Sequence, residues 1–214
     1  MTSANVSPNA LPCIADLART TQSLAMLDAI VSPDWEDRYY SYNKAWGPSE
    51  QMASMRDGSG DDWFLLFDSA GAALKGFAHE LASQSSVADR IQKEVPASFS
   101  SFLGEPAFSM DYATFCYWCP ADAGTWSKVF PVRADAPQVE DGSEELLALL
   151  VSGPAAYKEW AESYYEVPIP LDSVVAIFAH EPLTSSLVSA LNPDADLGYA
   201  LSQAEEIGYP SDKL

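Results

Sequence analysis

Both histidines of the chain lie in one repeated tetrapeptide, Phe-Ala-His-Glu, which occurs at 77–80 and again at 178–181. Each copy follows an apolar run that we predict to be a strand. If these two strands are neighbours in one sheet, the imidazoles and carboxylates gather at its edge, where histidine acts as base or metal ligand and glutamate orients it. The pattern predicts four candidate catalytic residues, His79, Glu80, His180 and Glu181. That set would suit a metal-assisted hydrolase.

The same four residues would equally suit polar caps at the ends of two strands. Metal sites usually bring three or four ligands at characteristic spacing, and the chain has no His-Glu-x-x-His motif. It also lacks a Gly-x-Ser-x-Gly nucleophile motif, a phosphate-binding glycine loop and a dinucleotide fingerprint. We therefore predict no bound metal and no cofactor, and nucleotide chemistry is disfavoured.

A second candidate pair, Cys116 and Cys119, has the Cys-x-x-Cys spacing of zinc knuckles and redox motifs. Redox dithiols use a helix N-terminus to lower the thiol pKa, whereas this pair ends a strand-like run. Side chains three apart on a strand also point to opposite faces. We favour buried free thiols in a reducing compartment, and the two alternatives are a redox pair and a zinc site completed by His79 and His180.

The acidic stretch 57–62, with Asp68 at its twelfth position, imitates a calcium-binding EF-hand loop. It departs from that loop where the loop is strictest, because the sixth residue is Asp62 instead of glycine and the twelfth is aspartate instead of glutamate. Glycine supplies positive φ and Asp57 can bond its own backbone. We therefore predict a hairpin turn here, with at most a weakly held cation.

Aromatic residues are dense between positions 35 and 63, and most of them should belong to the core. Acidic residues are interleaved with aromatic ones, most clearly in the runs 35–40 and 164–166. Aromatic side chains anchor protein interfaces and carboxylates pair with Arg or Lys, so this mixture favours a surface that binds a cationic protein. The candidate binding residues are Trp35, Arg38, Tyr40, Trp46, Asp57 and Asp61.

The charge balance is strongly acidic, with 31 Asp and Glu against 11 Lys and Arg and a formal net charge of −20. Such a field repels nucleic acid and anionic membranes and attracts a basic protein partner. The alternative interpretation is that the acidic surface only keeps the protein soluble. The first 11 residues lack the basic and apolar regions of a signal peptide, so we expect a cytoplasmic protein.

The elements that would position these residues begin with four strand-like runs between 38 and 80. Turn compositions at 47–48, 57–60 and 68–71 separate the runs, which predicts an antiparallel meander. Aromatic and β-branched content predicts further strands at 112–118, 126–132 and 173–179. Apolar spacing, caps and proline stops predict helices at 14–31, 86–94, 97–103, 143–151, 155–165, 184–191 and 197–207.

Together these elements predict an α+β fold, in which one antiparallel sheet of five to seven strands is packed by helices. Residues 1–12 are predicted to be a flexible leader and residues 13–214 a single domain. No run approaches the ~20 apolar residues of a membrane span. The sequence does not indicate an oligomeric state.

Within the meander, the stretches 39–43, 51–61 and 76–80, together with Trp46, resemble a signature of uncharacterised bacterial proteins. Some proteins of that kind are associated with toxin-immunity gene clusters. The resemblance brings no catalytic residues with it, and it implies a bacterial cytoplasmic binding protein.

Our leading functional prediction is an acidic cytoplasmic binding module, such as an inhibitor or immunity protein that occludes a basic toxin or nuclease. The competing prediction is the metal-assisted hydrolase that would use the two His-Glu pairs. A third possibility is a nucleic-acid mimic, whose binding should collapse as salt rises because its contacts are screened charge pairs.

Overall fold

The structure is a computed structural model, and it describes residues 5–131 and 139–211. Across these residues, one antiparallel sheet contains six strands in the order in which they follow along the chain. The predicted meander is confirmed, and so are the strands predicted near 112–118 and 126–132, although residue 132 lies outside the described residues. The strands are β1 Tyr40–Gly47, β2 Glu50–Arg56, β3 Asp62–Asp68, β4 Gly71–Phe77, β5 Phe115–Pro120 and β6 Ser127–Val129.

Local turn chemistry explains why the first four strands form hairpins. Between β3 and β4, Asp68 Oδ1 accepts a 2.7 Å hydrogen bond from the backbone N–H of Ala70. Gly71 follows with a φ of 137°, and a Cβ at this position would lie 2.1 Å from the carbonyl oxygen of Cys119. Only glycine fits here without a shift of the backbone.

Helices cover both faces of the sheet, which explains the unbroken apolar run of β3. Trp63 and Leu65 point towards the larger core, and Leu66 points towards a smaller core on the opposite face. The larger core is closed by helices from both ends of the chain: α1 Ile14–Val31, α5 Ser143–Leu146, α6 Ala148–Ser152, α7 Pro154–Tyr165, α8 Leu171–Phe178, α9 Ser185–Leu191 and α10 Leu197–Ile207.

The connection between β4 and β5 closes the smaller core on the second face. It contains three short helices, α2 Ala82–Ser85, α3 Ala88–Glu94 and α4 Ser100–Gly104, and several 3₁₀ turns. Ile91 and Phe102 are fully buried against the sheet. The predicted α+β architecture is therefore confirmed, with a sheet between two unequal helical layers.

The prediction of a strand at 173–179 is wrong, because these residues belong to helix α8. Val174 and Ile177 are fully buried while Val175 is 46 % exposed, so burial follows a helical period. A short apolar run of β-branched residues fits a buried strand or a buried helix equally well by periodicity alone. Pro170 stands immediately before the helix and fits its start.

The predicted leader contacts the domain where the structure describes it, from residue 5 onward. Asn5 Nδ2 donates to the carbonyl of Val139, and Asn5 Oδ1 accepts from the backbone N–H of Asp141. At the other end of the segment, Trp126 Nε1 donates a 2.8 Å hydrogen bond to the carbonyl of Pro12. Residues 1–4 of the predicted leader and 212–214 of the predicted domain lie outside the described residues.

Candidate functional site

Four segments meet around a cleft of about 560 Å³, a volume typical of a binding pocket. They are the end of α1, the 3₁₀ turn Trp35–Asp37, the turn between β2 and β3, and the end of α7. We call this the Tyr164 cleft. Its lining residues are Val31, Ser32, Pro33, Asp34, Glu36, Asp37, Arg38, Arg56, Gly58, Tyr164, Tyr165 and Val167.

The walls of the Tyr164 cleft combine carboxylates with aromatic rings. The acidic side chains of Asp34, Glu36 and Asp37 are exposed at the surface. The ring of Tyr164 is 44 % exposed and stacks on Trp160, with ring centroids 5.1 Å apart. Such a wall offers a flat apolar contact beside negative charge.

Trp35 stands beside the cleft with 52 % of its surface exposed. Two cations that line the cleft pack on its indole ring, since the guanidinium carbons of Arg38 and Arg56 lie 5.8 Å and 5.3 Å from the ring centroid. Both distances fall within the range of cation–π attraction. The ring is thus held in place while half of it remains open to a partner.

Arg38 is a buried cation, and within the described residues all of its hydrogen bonds go to neutral acceptors. Its guanidinium donates to the carbonyls of Ser32 and Pro33 at the end of α1, and to Tyr199 Oη and Gln203 Oε1 of α10. The carbonyls at a helix C-terminus carry partial negative charge and favour such a cation. Arg38 therefore fixes the loop that carries the 3₁₀ turn Trp35–Asp37 to two helices.

A fully buried carboxylate, Asp28 of α1, lies behind the cleft. It accepts hydrogen bonds from the backbone N–H of Tyr40 at 2.7 Å, from Tyr157 Oη at 2.8 Å and from Tyr165 Oη at 2.9 Å. Burial raises the pKa of Asp28 to about 6, although the three hydrogen bonds oppose that rise. Tyr165 also lines the cleft, so one side chain contacts both the buried carboxylate and the open site.

The turn between β2 and β3 closes one side of the cleft. Asp57 Oδ1 accepts three backbone hydrogen bonds, from the N–H groups of Ser59, Gly60 and Asp61, which confirms the predicted hairpin turn. Asp61 in turn contacts His79, with 2.6 Å between Oδ1 and Nδ1. This hydrogen bond raises the pKa of the exposed His79.

The structure brings some of the six predicted binding residues together and separates others. Trp35, Arg38 and Asp57 lie in or beside the cleft, and Asp61 belongs to the same turn as Asp57. Tyr40 is buried, with 4 % exposure, so it supports the cleft from behind. Trp46 lies on the second face of the sheet.

Trp46 is held there by contacts that have no part in the cleft. Its indole ring stacks on Phe108, and its Nε1 donates to Glu105 Oε2. Both partners belong to the connection between β4 and β5, which covers the smaller core.

The two His-Glu pairs do not share the sheet edge that the sequence predicts, because only His79 follows a strand. His180 follows helix α8 in the left-handed conformation, with a φ of 59°, and the N–H of Glu181 closes the helix on the carbonyl of Ala176. This is the backbone pattern of a helix C-terminus. The ring of His180 packs on Tyr209, and its Nε2 contacts the carbonyl oxygen of Arg19.

Within residues 5–131 and 139–211, no group of three or more His, Cys, Asp or Glu side chains is arranged to hold a metal ion. Cys116 and Cys119 are buried free thiols on opposite faces of the sheet, as expected for residues three apart on a strand. The metal-assisted hydrolase therefore stays an untested prediction. The structure does not contain the shared sheet edge, with both His-Glu pairs, on which that prediction was based.

Sequence reasoning missed Asp28, which lies behind the cleft, and it identified Tyr165 only as part of the mixed run 164–166, without its buried partner. A signal for Asp28 was present, since it follows Leu17 and Leu24 by eleven and four positions and so falls on the apolar face of α1. An acidic residue on the buried stripe of a helix needs partners. No local pattern indicates that those partners come from α7, more than a hundred residues further along the chain.

Comparison with known proteins returns no match to any protein-family model, to any curated protein or to any solved structure. Among the described residues, none of the helices combines the length and the apolar character needed to cross a membrane.

Proposed function

We propose that this protein is an acidic binding module, of the inhibitor or immunity type, that occludes a basic toxin or nuclease with the surface around the Tyr164 cleft. The observation that carries this proposal is the arrangement of Trp35 and Tyr164, both about half exposed, around the carboxylates of Asp34, Glu36 and Asp37. Exposed aromatic rings flanked by charge are typical of interface hot spots.

The charge of the whole chain supports a cationic partner. A formal net charge of −20 attracts a basic protein over long distances and raises its association rate. Close to the site, the carboxylates supply the charge pairs and the aromatic rings supply the apolar contact. Nucleic acid and anionic membranes would be repelled by the same field.

The proposal is tested by capture of the partner followed by affinity measurements. The tagged protein is expressed in its native cell, captured at low salt and eluted with a salt gradient, and the co-purifying proteins are identified by mass spectrometry. Bound metals are recorded on the same sample, because a metal retained near one per chain without a protein partner would favour the hydrolase instead. We expect a basic protein at about one copy per chain.

The affinity of the purified pair is then measured with variants of the cleft. We expect Trp35→Ala to weaken binding at least about 30-fold, which corresponds to a hot spot of about 2 kcal/mol. Tyr112→Ala is the matched control, since Tyr112 is 64 % exposed and lies outside the cleft. Equal effects of the two substitutions would contradict the proposal.

A second pair of variants tests the carboxylates. The triple substitution Asp34→Asn, Glu36→Gln and Asp37→Asn should slow association and weaken its dependence on salt. A triple substitution to Asn of Asp89, Asp111 and Asp122, which are exposed on other elements, removes the same charge elsewhere. If both triples behave alike, only the total charge matters and the cleft is not the binding site.

A further inference from the structure

Asp28 is a fully buried carboxylate, and one side chain that lines the Tyr164 cleft, Tyr165, donates a hydrogen bond to it. We propose that Asp28 makes the cleft a receptor for one cationic side chain of the partner, and that proton uptake by Asp28 releases that side chain. The inference rests on the proposed function, because it names the group that the cleft receives and the switch that controls it.

The geometry of Tyr165 carries the connection. Tyr165 Oη donates a hydrogen bond to Asp28 Oδ2, with 2.9 Å between the two oxygens, and accepts one from the backbone N–H of Tyr39 at 3.4 Å. One lone pair of the phenol oxygen remains for a further donor, and Tyr165 lines the cleft. A phenol that donates to a carboxylate is polarised and becomes a better acceptor, so a guanidinium or ammonium group in the cleft would meet a strong acceptor there.

Asp28, when ionised, also holds a charge that no cation of the described residues compensates. Among the described residues, its hydrogen-bond donors are two tyrosine hydroxyls and one backbone N–H, and no cation contacts it. Burial is the reason that its pKa is raised to about 6. A buried carboxylate of this kind costs stability when it is ionised, and strongly perturbed groups of this kind concentrate at functional sites.

A cation bound in the cleft would favour the ionised form of Asp28, and by linkage ionised Asp28 would favour the cation. Affinity for a cation should therefore fall as pH falls through 6. Arginine stays protonated throughout this range, so its charge does not contribute to the change.

Several other titratable groups lie around Asp28 and the cleft. The groups that face Asp28 are tyrosines, Tyr39 and Tyr40 from β1 and Tyr157 and Tyr165 from α7. The remaining helices packed on α1 bring Asp172, Tyr199, Glu205 and Glu206, all of which are exposed. On the cleft side stand Asp34, Glu36, Asp37, Arg38, Arg56 and Asp57, together with His79 of the neighbouring turn.

The experiment is isothermal titration of a short peptide that contains three arginines, with the same peptide carrying neutral citrulline as the control ligand. Binding is measured at pH 7.5 and pH 5 at one ionic strength, with wild type, Asp28→Asn and His79→Gln. For wild type and His79→Gln we expect the affinity for the arginine peptide to fall about tenfold at pH 5, the factor for a group that must be ionised and titrates near 6.

Asp28→Asn should bind the arginine peptide weakly and equally at both pH values. Tyr165→Phe keeps Asp28 and removes the hydroxyl, so it should also lose the pH dependence even if the asparagine variant fails to fold. At pH 6, wild type should release on the order of half a proton per bound peptide, measured in two buffers of different ionisation enthalpy.

The outcomes separate this inference from the proposed function. If Trp35→Ala weakens the arginine peptide while Asp28→Asn leaves both its affinity and its pH dependence unchanged, the cleft binds cations but the switch does not exist. If citrulline binds as well as arginine, or if no arginine peptide binds, the cleft does not receive a cationic side chain. Capture of the natural partner remains a separate test of the binding role.

Discussion

Lys128 Nζ lies 2.6 Å from Asp141 Oδ2, and both side chains are completely buried. The ammonium group also contacts Ser143 Oγ at 3.2 Å and packs over the ring of Tyr117 at 4.7 Å. Burial lowers the pKa of Lys128, and the charge of Asp141 opposes that effect. This ion pair joins β6 to the segment that precedes α5.

The buried pair predicts an asymmetry between single and double substitutions. Asp141→Ala leaves a buried ammonium without its counter-charge, so we expect the free energy of unfolding to fall by about 3–5 kcal/mol. The double variant Lys128→Met, Asp141→Leu removes both charges and should be more stable than Asp141→Ala alone. Urea unfolding of wild type, Asp141→Ala and the double variant measures these differences. A double variant as unstable as Asp141→Ala would show that the contact is not a buried charge pair.

The hairpin turn between β2 and β3 depends on one carboxylate oxygen. Asp57→Ala removes the acceptor of three backbone hydrogen bonds, so we expect a loss of about 1–3 kcal/mol in the free energy of unfolding. Asp57→Asn retains an amide oxygen at that place and should lose less. If alanine and asparagine are equally destabilising, the charge of Asp57 matters rather than its hydrogen bonds, as it would for a bound cation.

Local chemistry of this kind is what made the meander predictable from sequence. The turns at Asp57 and Asp68 depend on residues within four positions of one another, so a short window contains the whole signal. The strand predicted at 173–179 failed because a short apolar run is compatible with two structures, and the choice between them is made by packing against α1 and α7.

The candidate site was predictable only in its local part. Trp35 and Arg38 lie close together in the sequence, and their aromatic and charged character indicated a binding surface. The contact of Tyr165 with Asp28 joins residues 137 positions apart, and no periodicity or spacing reports such a pair. For the same reason the repeated Phe-Ala-His-Glu motif misled, since identical tetrapeptides end a strand in one place and a helix in the other.

The raised pKa of Asp28 predicts a gain of stability when its charge is removed. The folded protein holds this proton up to a pH of about 6, whereas the ordinary pKa of an aspartate, as in the unfolded chain, is 3.8. Between these values the folded state binds more protons, so the contribution of Asp28 to stability increases as pH falls and is smallest above 6. At pH 7 the ionised carboxyl costs about 3 kcal/mol.

Asp28→Asn should therefore be more stable than wild type at pH 7, by up to that amount. The asparagine oxygen can accept from the N–H of Tyr40 and from Tyr165, while its amide donates to the hydroxyl of Tyr157. The difference in unfolding free energy should shrink as pH falls towards 4. A variant that is less stable than wild type at pH 7 would mean that the hydrogen bonds to the ionised carboxylate outweigh its burial.

The two histidines should titrate on opposite sides of the ordinary histidine value of 6.5. The hydrogen bond from His79 to Asp61 Oδ1 raises the pKa of His79, whereas partial burial lowers the pKa of His180. For His79 the charged form is favoured in the folded state, so any stability it contributes is present at low pH and is lost as pH rises through its folded pKa. For His180 the neutral form is favoured, so acidification works against the folded state.

Nitrogen-15 spectra of the imidazole rings, recorded from pH 4.5 to 8.5, would resolve both titrations, with His79→Gln and His180→Gln used for assignment. We expect one transition above 6.5 and one below it. Asp61→Asn should lower the pKa of His79 and leave His180 unchanged, because only His79 contacts Asp61. Two coincident transitions, or a response of both rings to Asp61→Asn, would contradict the separate environments in which the structure places them.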